Sequence, residues 1–312
     1  MIVPHLTFAL SAILPIFLVL VVGWWLRRIG WLDDQFTETG SRLVFNLALP
    51  ALIFTNLIDL ELSHLINLTQ VGFALGATVV AFLVLWAGSR FWPGPGADRG
   101  VFVQGAFRGN LGIIGIAVCA SLYGQQGLAL GSVLLATLTL LYNFLSVFAL
   151  TAGGASRWRD VLLTIARNPL ILSIFAGLSV AALDLPIPAL FVTSAEYFAR
   201  MTLPLALLCV GAGLSLDDLR HGSPVAFAAV ALKLVVLPVM LMLAALPLEL
   251  APVALGTLFA MFAAPTATVS YVMVRSLGGN HRLAASIVAL STLLAPFSLA
   301  AGLSLLRGQG MI

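Results

Sequence analysis

The sequence predicts an all-α membrane protein of ten transmembrane helices, built as two five-helix repeats of opposite orientation. Three observations predict it. Of the 312 residues, 61% are hydrophobic and 9% are charged, whereas a water-soluble domain carries charge at about one residue in four. The apolar residues fall in blocks of bilayer-spanning length, about 20 residues each. The prolines repeat their spacing: Pro15 and Pro50 are 35 apart, Pro169 and Pro204 are 35 apart, and the pairs are offset by 154 (169 − 15). With five spans per repeat, an odd number, the second copy must cross the membrane in the opposite sense.

The first block, LTFALSAILPIFLVLVVGWWLRR, has no positive charge before it and Arg27 and Arg28 after it. That order is the reverse of a cleavable signal peptide, so the block reads as a span entering from outside. The ten spans run over about 7–28, 38–58, 66–90, 101–122, 126–150, 161–182, 197–216, 225–246, 252–276 and 282–306. FWPGPGADRG and TAGGASRWRD combine glycine, proline or charge and read as loops, and LDLPIPALFVTSAE as a longer proline-broken connection. The first repeat covers 1–150 and the second 151–312. Local text supports the duplication: LALPALI around Pro50 matches MTLPLAL around Pro204, and Asn110 shifted by 154 falls in AAPTATVS, which begins at Ala263.

Orientation follows from the basic residues. Arg27, Arg28, Arg42, Arg90, Arg99, Arg157, Arg159, Arg167, Arg220, Arg275 and Arg282 follow odd-numbered spans, eleven in all, against two, Arg200 and Arg307, on the other side. The positive-inside rule then puts both termini outside the cytoplasm, in a multi-pass protein of the plasma (inner) membrane. Trp24, Trp25, Trp31, Trp92 and Trp158 fall near predicted cytoplasmic span ends, where interfacial anchors belong.

The functional signal lies in RGNLGIIGIAV, residues 108–118, inside the fourth span. Gly109, Gly112 and Gly115 permit a helix break, and Asn110 supplies an amide. The matching position of the ninth span, AAPTATVS, holds Pro265, with Thr266, Thr268 and Ser270 offering hydroxyls either to a ligand or to their own helix. Interrupted segments at corresponding positions of two repeats point to a transporter's binding site. Their half-helix N-termini would present N–H groups to an anion. Arg108 and Lys233 lie about seven and eight residues into their spans, roughly 10–12 Å deep. Each has three readings: snorkelling to the interface, supplying positive potential to an anion, or tying down broken-helix carbonyls. Asn143, in the fifth span, is a further cavity candidate. Asn46 and Asn56, ten residues apart in the second span, point to nearly one side of a helix, as scaffold-facing polar groups or as interhelical glue.

All twelve carboxylates fall in or near loops. That absence favours an anionic over a cationic substrate and leaves open a sodium site of carbonyls and hydroxyls. Cys119, Cys209 and the four histidines show no ligand spacing, so no metal and no cofactor are expected. No nucleophile–base pair or phosphate loop stands out, which argues against an enzyme. The scattered basic residues give no nucleic-acid surface, and the expected partners are a small organic anion and the lipid bilayer. A channel or receptor remains a competing class.

Five segments in order, LVFNLALPALIFTNL (43–57), GNLGIIGI (109–116), NPLILSIFAGL (168–178), LPLALLCVGAGLSL (203–216) and AAPTATVSYVMVRSLGGN (263–280), resemble the auxin efflux carrier family in its bacterial form. The resemblance implies a scaffold of spans 1, 2, 6 and 7, a moving part of spans 3–5 and 8–10, and broken helices 4 and 9 that cross at the substrate. It implies elevator-type alternating access and a homodimer through spans 2 and 7. By position, the family's fourth-span asparagine is Asn110 and its ninth-span proline Pro265. Ala117 stands where the family usually has a proline, and Ser270 where plant members have a second one. The expected function is secondary transport of a small carboxylate such as malonate, malate or an auxin-like acid. The runner-up is a sodium-coupled anion symporter of bile-acid-carrier type.

Overall fold

The computed structural model describes residues 2–58, 67–91, 96–151, 169–214 and 223–312. Arg157, Arg159, Arg167, Arg220, Trp92, Trp158, His64, His221 and the carboxylates Asp59, Glu61, Asp160, Asp217 and Asp218 lie outside the described residues, as does most of TAGGASRWRD.

All regular structure among the described residues is helical. In chain order the α-helices are α1 (Ile2–Arg28), α2 (Asp34–Leu43), α3 (Leu49–Ile58), α4 (Leu68–Gly88), α5 (Gly96–Phe107), α6 (Ile116–Thr151), α7 (Pro169–Ala182), α8 (Ala189–Ala212), α9 (Pro224–Ala231), α10 (Leu237–Ala245), α11 (Pro252–Ala263), α12 (Thr268–Ser276) and α13 (His281–Gly308). Among the described residues, seven helices are long and apolar enough to cross a membrane, and two shorter apolar ones are α7 and α11. The difference from ten has local causes. The expected fourth span stops at Phe107 and resumes at Leu111, and its second half runs on into the fifth through a bend at Gly124 (φ +56°). The expected ninth span is split into α11 and α12. The sixth is described only from Pro169.

Helix starts follow capping chemistry. Asp33, Asn67, Ser223 and Asn280 each accept a backbone N–H three residues on, from Phe36, Gln70, Ala226 and Leu283, and Pro224 opens α9 where its missing N–H is harmless. At the other end of α4, Arg99 donates to the Trp86 carbonyl at 2.6 Å and lies over the Trp86 ring. Three π turns interrupt helices: Val44–Ala48 joins α2 to α3, Leu111–Gly115 leads into α6, and Leu232–Val236 joins α9 to α10. The first and last sit just before Pro50 and Pro238. Leu49 N–H reaches back to Val44 and Leu237 N–H to Leu232, five residues each, and the widened turn absorbs the donor that the next residue, a proline, lacks.

The helices pack as two groups that α1 also bridges through α13. One is α1, α2, α3, α7 and α8; the other is α4, α5, α6 and α9–α13. Within the first, α1 and α8 touch backbone to backbone: a Cβ on Gly23 would collide with the Leu208 carbonyl oxygen, and one on Gly211 with that of Leu20. Small residues that allow such approach replace hydrophobic burial as the glue between helices in lipid. The groups meet where α1 lies on α13 and where α3 and α7 lie on α6.

Candidate functional site

The two interruptions meet. Arg108, Gly109 and Asn110 separate α5 from the π turn, and Ala264–Ala267 separate α11 from α12. Gly109 and Thr266 form an isolated antiparallel bridge: Asn110 N–H donates to the Pro265 carbonyl at 2.7 Å and Ala267 N–H to the Arg108 carbonyl at 3.1 Å. Each break thus satisfies backbone groups of the other, which irregular chain at membrane depth requires. Two hydroxyls complete the joint. Thr266 Oγ1 donates to the Gly105 carbonyl in the last turn of α5 at 2.7 Å, and Ser291 Oγ of α13 accepts Thr266 N–H at 3.1 Å.

A cavity of about 230 Å³ opens on one side of this joint. Its wall combines the start of the Leu111 helix (Leu111, Gly112), the start of α12 (Ala267, Thr268, Val269), Arg108–Asn110, Phe45 and Asn46, Leu135, Thr139, Tyr142 and Asn143 of α6, and Pro169 and Leu170. Two helix N-termini therefore share one cavity, and both bring unbonded N–H groups and the positive end of a helix dipole. Of the wall's side chains among the described residues, Arg108 is the one that is charged. Asn110 Nδ2, Thr268 Oγ1 and Arg108 Nε are buried there without a hydrogen-bond partner.

Both intramembrane cations are buried, which excludes snorkelling: Arg108 is 6% and Lys233 2% exposed. Their surroundings differ. The Arg108 guanidinium faces α6, with Nη1 donating to the Tyr142 carbonyl (3.2 Å) and Ser146 Oγ (2.9 Å) and Nη2 to Asn143 Oδ1 (2.8 Å). The Tyr142 ring is held edge-on against Phe107, 5.5 Å between centroids. Lys233 is not on the cavity wall. It sits on the Leu232–Val236 π turn and donates to the Phe262 carbonyl at 2.8 Å.

Of the residues singled out by sequence, the cavity gathers Asn46, Arg108, Gly109, Asn110, Gly112, Asn143 and Thr268. Pro265 and Thr266 are in the joint instead, and Gly115 packs on Met261, whose Sδ would be 2.8 Å from an added Cβ. Ser270 is 2% exposed, its Oγ unpartnered and off the cavity wall. Asn56 lines a separate cavity of about 930 Å³ with Thr55, Gln125, Gln126 and the Glu196–Arg200 pair. Thr139, Ser146 and Ser291 were not singled out, because serine and threonine occur along most of the spans and nothing in the text marks these three.

A family description, Membrane transport protein, matches residues 8–152 and 157–301. The chain belongs to that family, the auxin efflux carrier family. It is a multi-pass membrane transport protein rather than an enzyme. A relative in Rhizobium meliloti (strain 1021), bearing the name "Putative malonate transporter", is 27% identical over 323 residues and covers 96% of each chain. An "Uncharacterized transporter" of Methanothermobacter thermautotrophicus is 26% identical over 74% of this chain and 76% of its own. The "Uncharacterized transporter YfdV" of Escherichia coli (strain K12) is 22% identical over 76% and 78%. In this membrane transport protein the joined breaks and their cavity are the candidate site.

Proposed function

We propose that this protein is a secondary carrier of a small organic anion, a short-chain carboxylate of the malonate class, bound in the cavity beside the joined breaks. One observation carries the reading: two helix N-termini, the Asn110 amide and the Arg108 guanidinium border a cavity with no carboxylate on its wall among the described residues. All of these favour negative charge. Size narrows the class. About 230 Å³ is below the roughly 300–1,000 Å³ of pockets for drug-sized ligands, which suits a three- or four-carbon diacid better than an indole or steroid acid. The similarity to a protein named for malonate agrees with that.

The mechanism belongs to the same proposal. Ten spans in two inverted repeats, 1–150 and 151–312, place α1, α2, α3, α7 and α8 in a fixed scaffold and the other helices in a moving body. The joint travels with the moving body past the scaffold, as an elevator. The wall residues from the scaffold, Phe45, Asn46, Pro169 and Leu170, are then left behind when the substrate moves, while Asn110, Arg108 and Thr268 stay with it. The arginine bias sets both termini outside in the inner membrane, and spans 2 and 7 are the surface for a homodimer.

Counterflow of labelled malonate into proteoliposomes tests the function. Saturable counterflow is expected. Asn110→Ala should abolish it while the variant keeps its melting temperature, because the buried Nδ2 has no partner in the protein to lose. Wild-type flux in folded Asn110→Ala would refute the assigned site, and current without counterflow would indicate a channel.

A further inference from the structure

Lys233 is the buried cation that the anion site leaves unused, and its position is informative. Phe262, whose carbonyl accepts from Lys233 Nζ, lies in the last turn of α11. Carbonyls there have no donor within the helix. The N–H four residues on, that of Thr266, is given to Ser291 Oγ instead. The negative end of the α11 dipole therefore falls on the Lys233 ammonium. The other broken segment is equally near: a Cβ on Gly109 would stand 3.1 Å from Lys233 Nζ and 3.4 Å from the Met261 carbonyl oxygen. The ammonium thus lies beside both breaks, against the carbonyl end of α11, while the cavity lies against the N–H ends. None of the ion pairs among the described residues includes Lys233.

In carriers with interrupted helices, the N–H ends hold an anionic substrate and the carbonyl ends hold the coupling cation. We propose that the Lys233 ammonium is a covalently tethered substitute for that cation, so that the carrier works without sodium. This rests on the carrier reading above. A symporter must recruit a positive charge to hold its broken ends together before it moves; here the charge is part of the chain and travels in both directions. Transport is then uncoupled from a sodium gradient, and the net direction follows the substrate's own gradient.

The experiment compares wild type, Lys233→Ala and Lys233→Gln in proteoliposomes with sodium chloride, choline chloride or ethylammonium chloride. Wild-type counterflow should be the same in sodium and choline. Both variants should slow by about fivefold to thirtyfold in choline, the rate equivalent of one buried helix-terminus charge interaction. Lys233→Ala should recover with sodium or ethylammonium. Lys233→Gln, which fills the space with a neutral amide, should recover less. Separately, ethylammonium should raise the melting temperature of purified Lys233→Ala and leave that of wild type unchanged, a readout that needs no substrate. A wild type that requires sodium overturns the tether, as does full-rate transport by Lys233→Gln in choline. Folded Lys233→Ala that no cation stabilises also overturns it. If Lys233→Ala does not fold, the wild-type and Lys233→Gln arms decide. Absence of malonate counterflow in every buffer counts against the carrier reading, while the melting experiment still decides the tether.

Discussion

Arg108 and Lys233 are the two buried basic residues among the described residues, and the structure treats them differently. Arg108 makes three hydrogen bonds, all to α6, and reaches the cavity wall. Lys233 makes one, to the open end of α11, and stays off the wall. The difference matches their chemistry. A planar guanidinium with five donors can be held by several neutral acceptors and still project charge, whereas a compact ammonium suits a single negative point. In the proposed carrier, one cation serves the place where an anion would sit, and the other the place where a cation would. Nearly equal predicted depth would then conceal opposite electrostatic tasks.

Removing Arg108 should have the largest effect on this contrast. Arg108→Ala takes away the cavity's charge and leaves Asn143 Oδ1 and Ser146 Oγ without their donor. The expected loss is about 2–3 kcal/mol of substrate binding, roughly 100-fold in apparent affinity. Arg108→Lys keeps the charge but reaches fewer of the three acceptors, and should recover about tenfold of it. Malonate-induced stabilisation of purified protein measures both. If Arg108→Lys binds as wild type does, the fixed fork is irrelevant and the cavity needs only a charge.

The breaks were legible in the sequence because RGNLGIIGIAV and AAPTATVS put glycine, proline and an amide into otherwise apolar runs, where such residues need a reason. The 154-residue offset marked the two breaks as equivalent positions, and the family resemblance implied that they cross; the structure bridges them from Gly109 to Thr266. The fate of the two cations was not legible. A lysine or arginine stem about 10 Å deep can reach the interface or turn inward, and helix phase alone does not decide. For Lys233 the phase itself is altered by the Leu232–Val236 π turn. Asn46 and Asn56 show a related failure. Angular arithmetic placed them on one side, but ten residues also separate them by about 15 Å along the axis. The two line different cavities.

Thr266 tests the joint rather than the cavity. Thr266→Val keeps the shape and removes the donor to Gly105, leaving a buried carbonyl at the end of α5 unsatisfied. The cost should be about 1–2 kcal/mol in stability, with little change in affinity for malonate. A lower melting temperature with an unchanged ligand-induced shift is the expected pattern. An affinity loss larger than the stability loss would mean that the joint also shapes the anion site.

Ser146→Ala should give the smallest effect, and it sharpens the contrast most finely. Ser146 is fully buried, and its Oγ is one of three acceptors around the Arg108 guanidinium. Alanine fits without a clash and removes one neutral acceptor, worth about 1 kcal/mol or somewhat more for a bond to a charged donor. Because Tyr142 and Asn143 still hold the guanidinium, its position should persist, and an affinity loss of about threefold to fivefold is expected from a slightly freer side chain. A loss as large as that of Arg108→Ala would show that Ser146 alone sets the orientation. A gain in affinity would show that the guanidinium, once released, turns into the cavity and bonds the anion directly. Only the second outcome would make the α6 acceptors a restraint on Arg108, where the present geometry makes them its support.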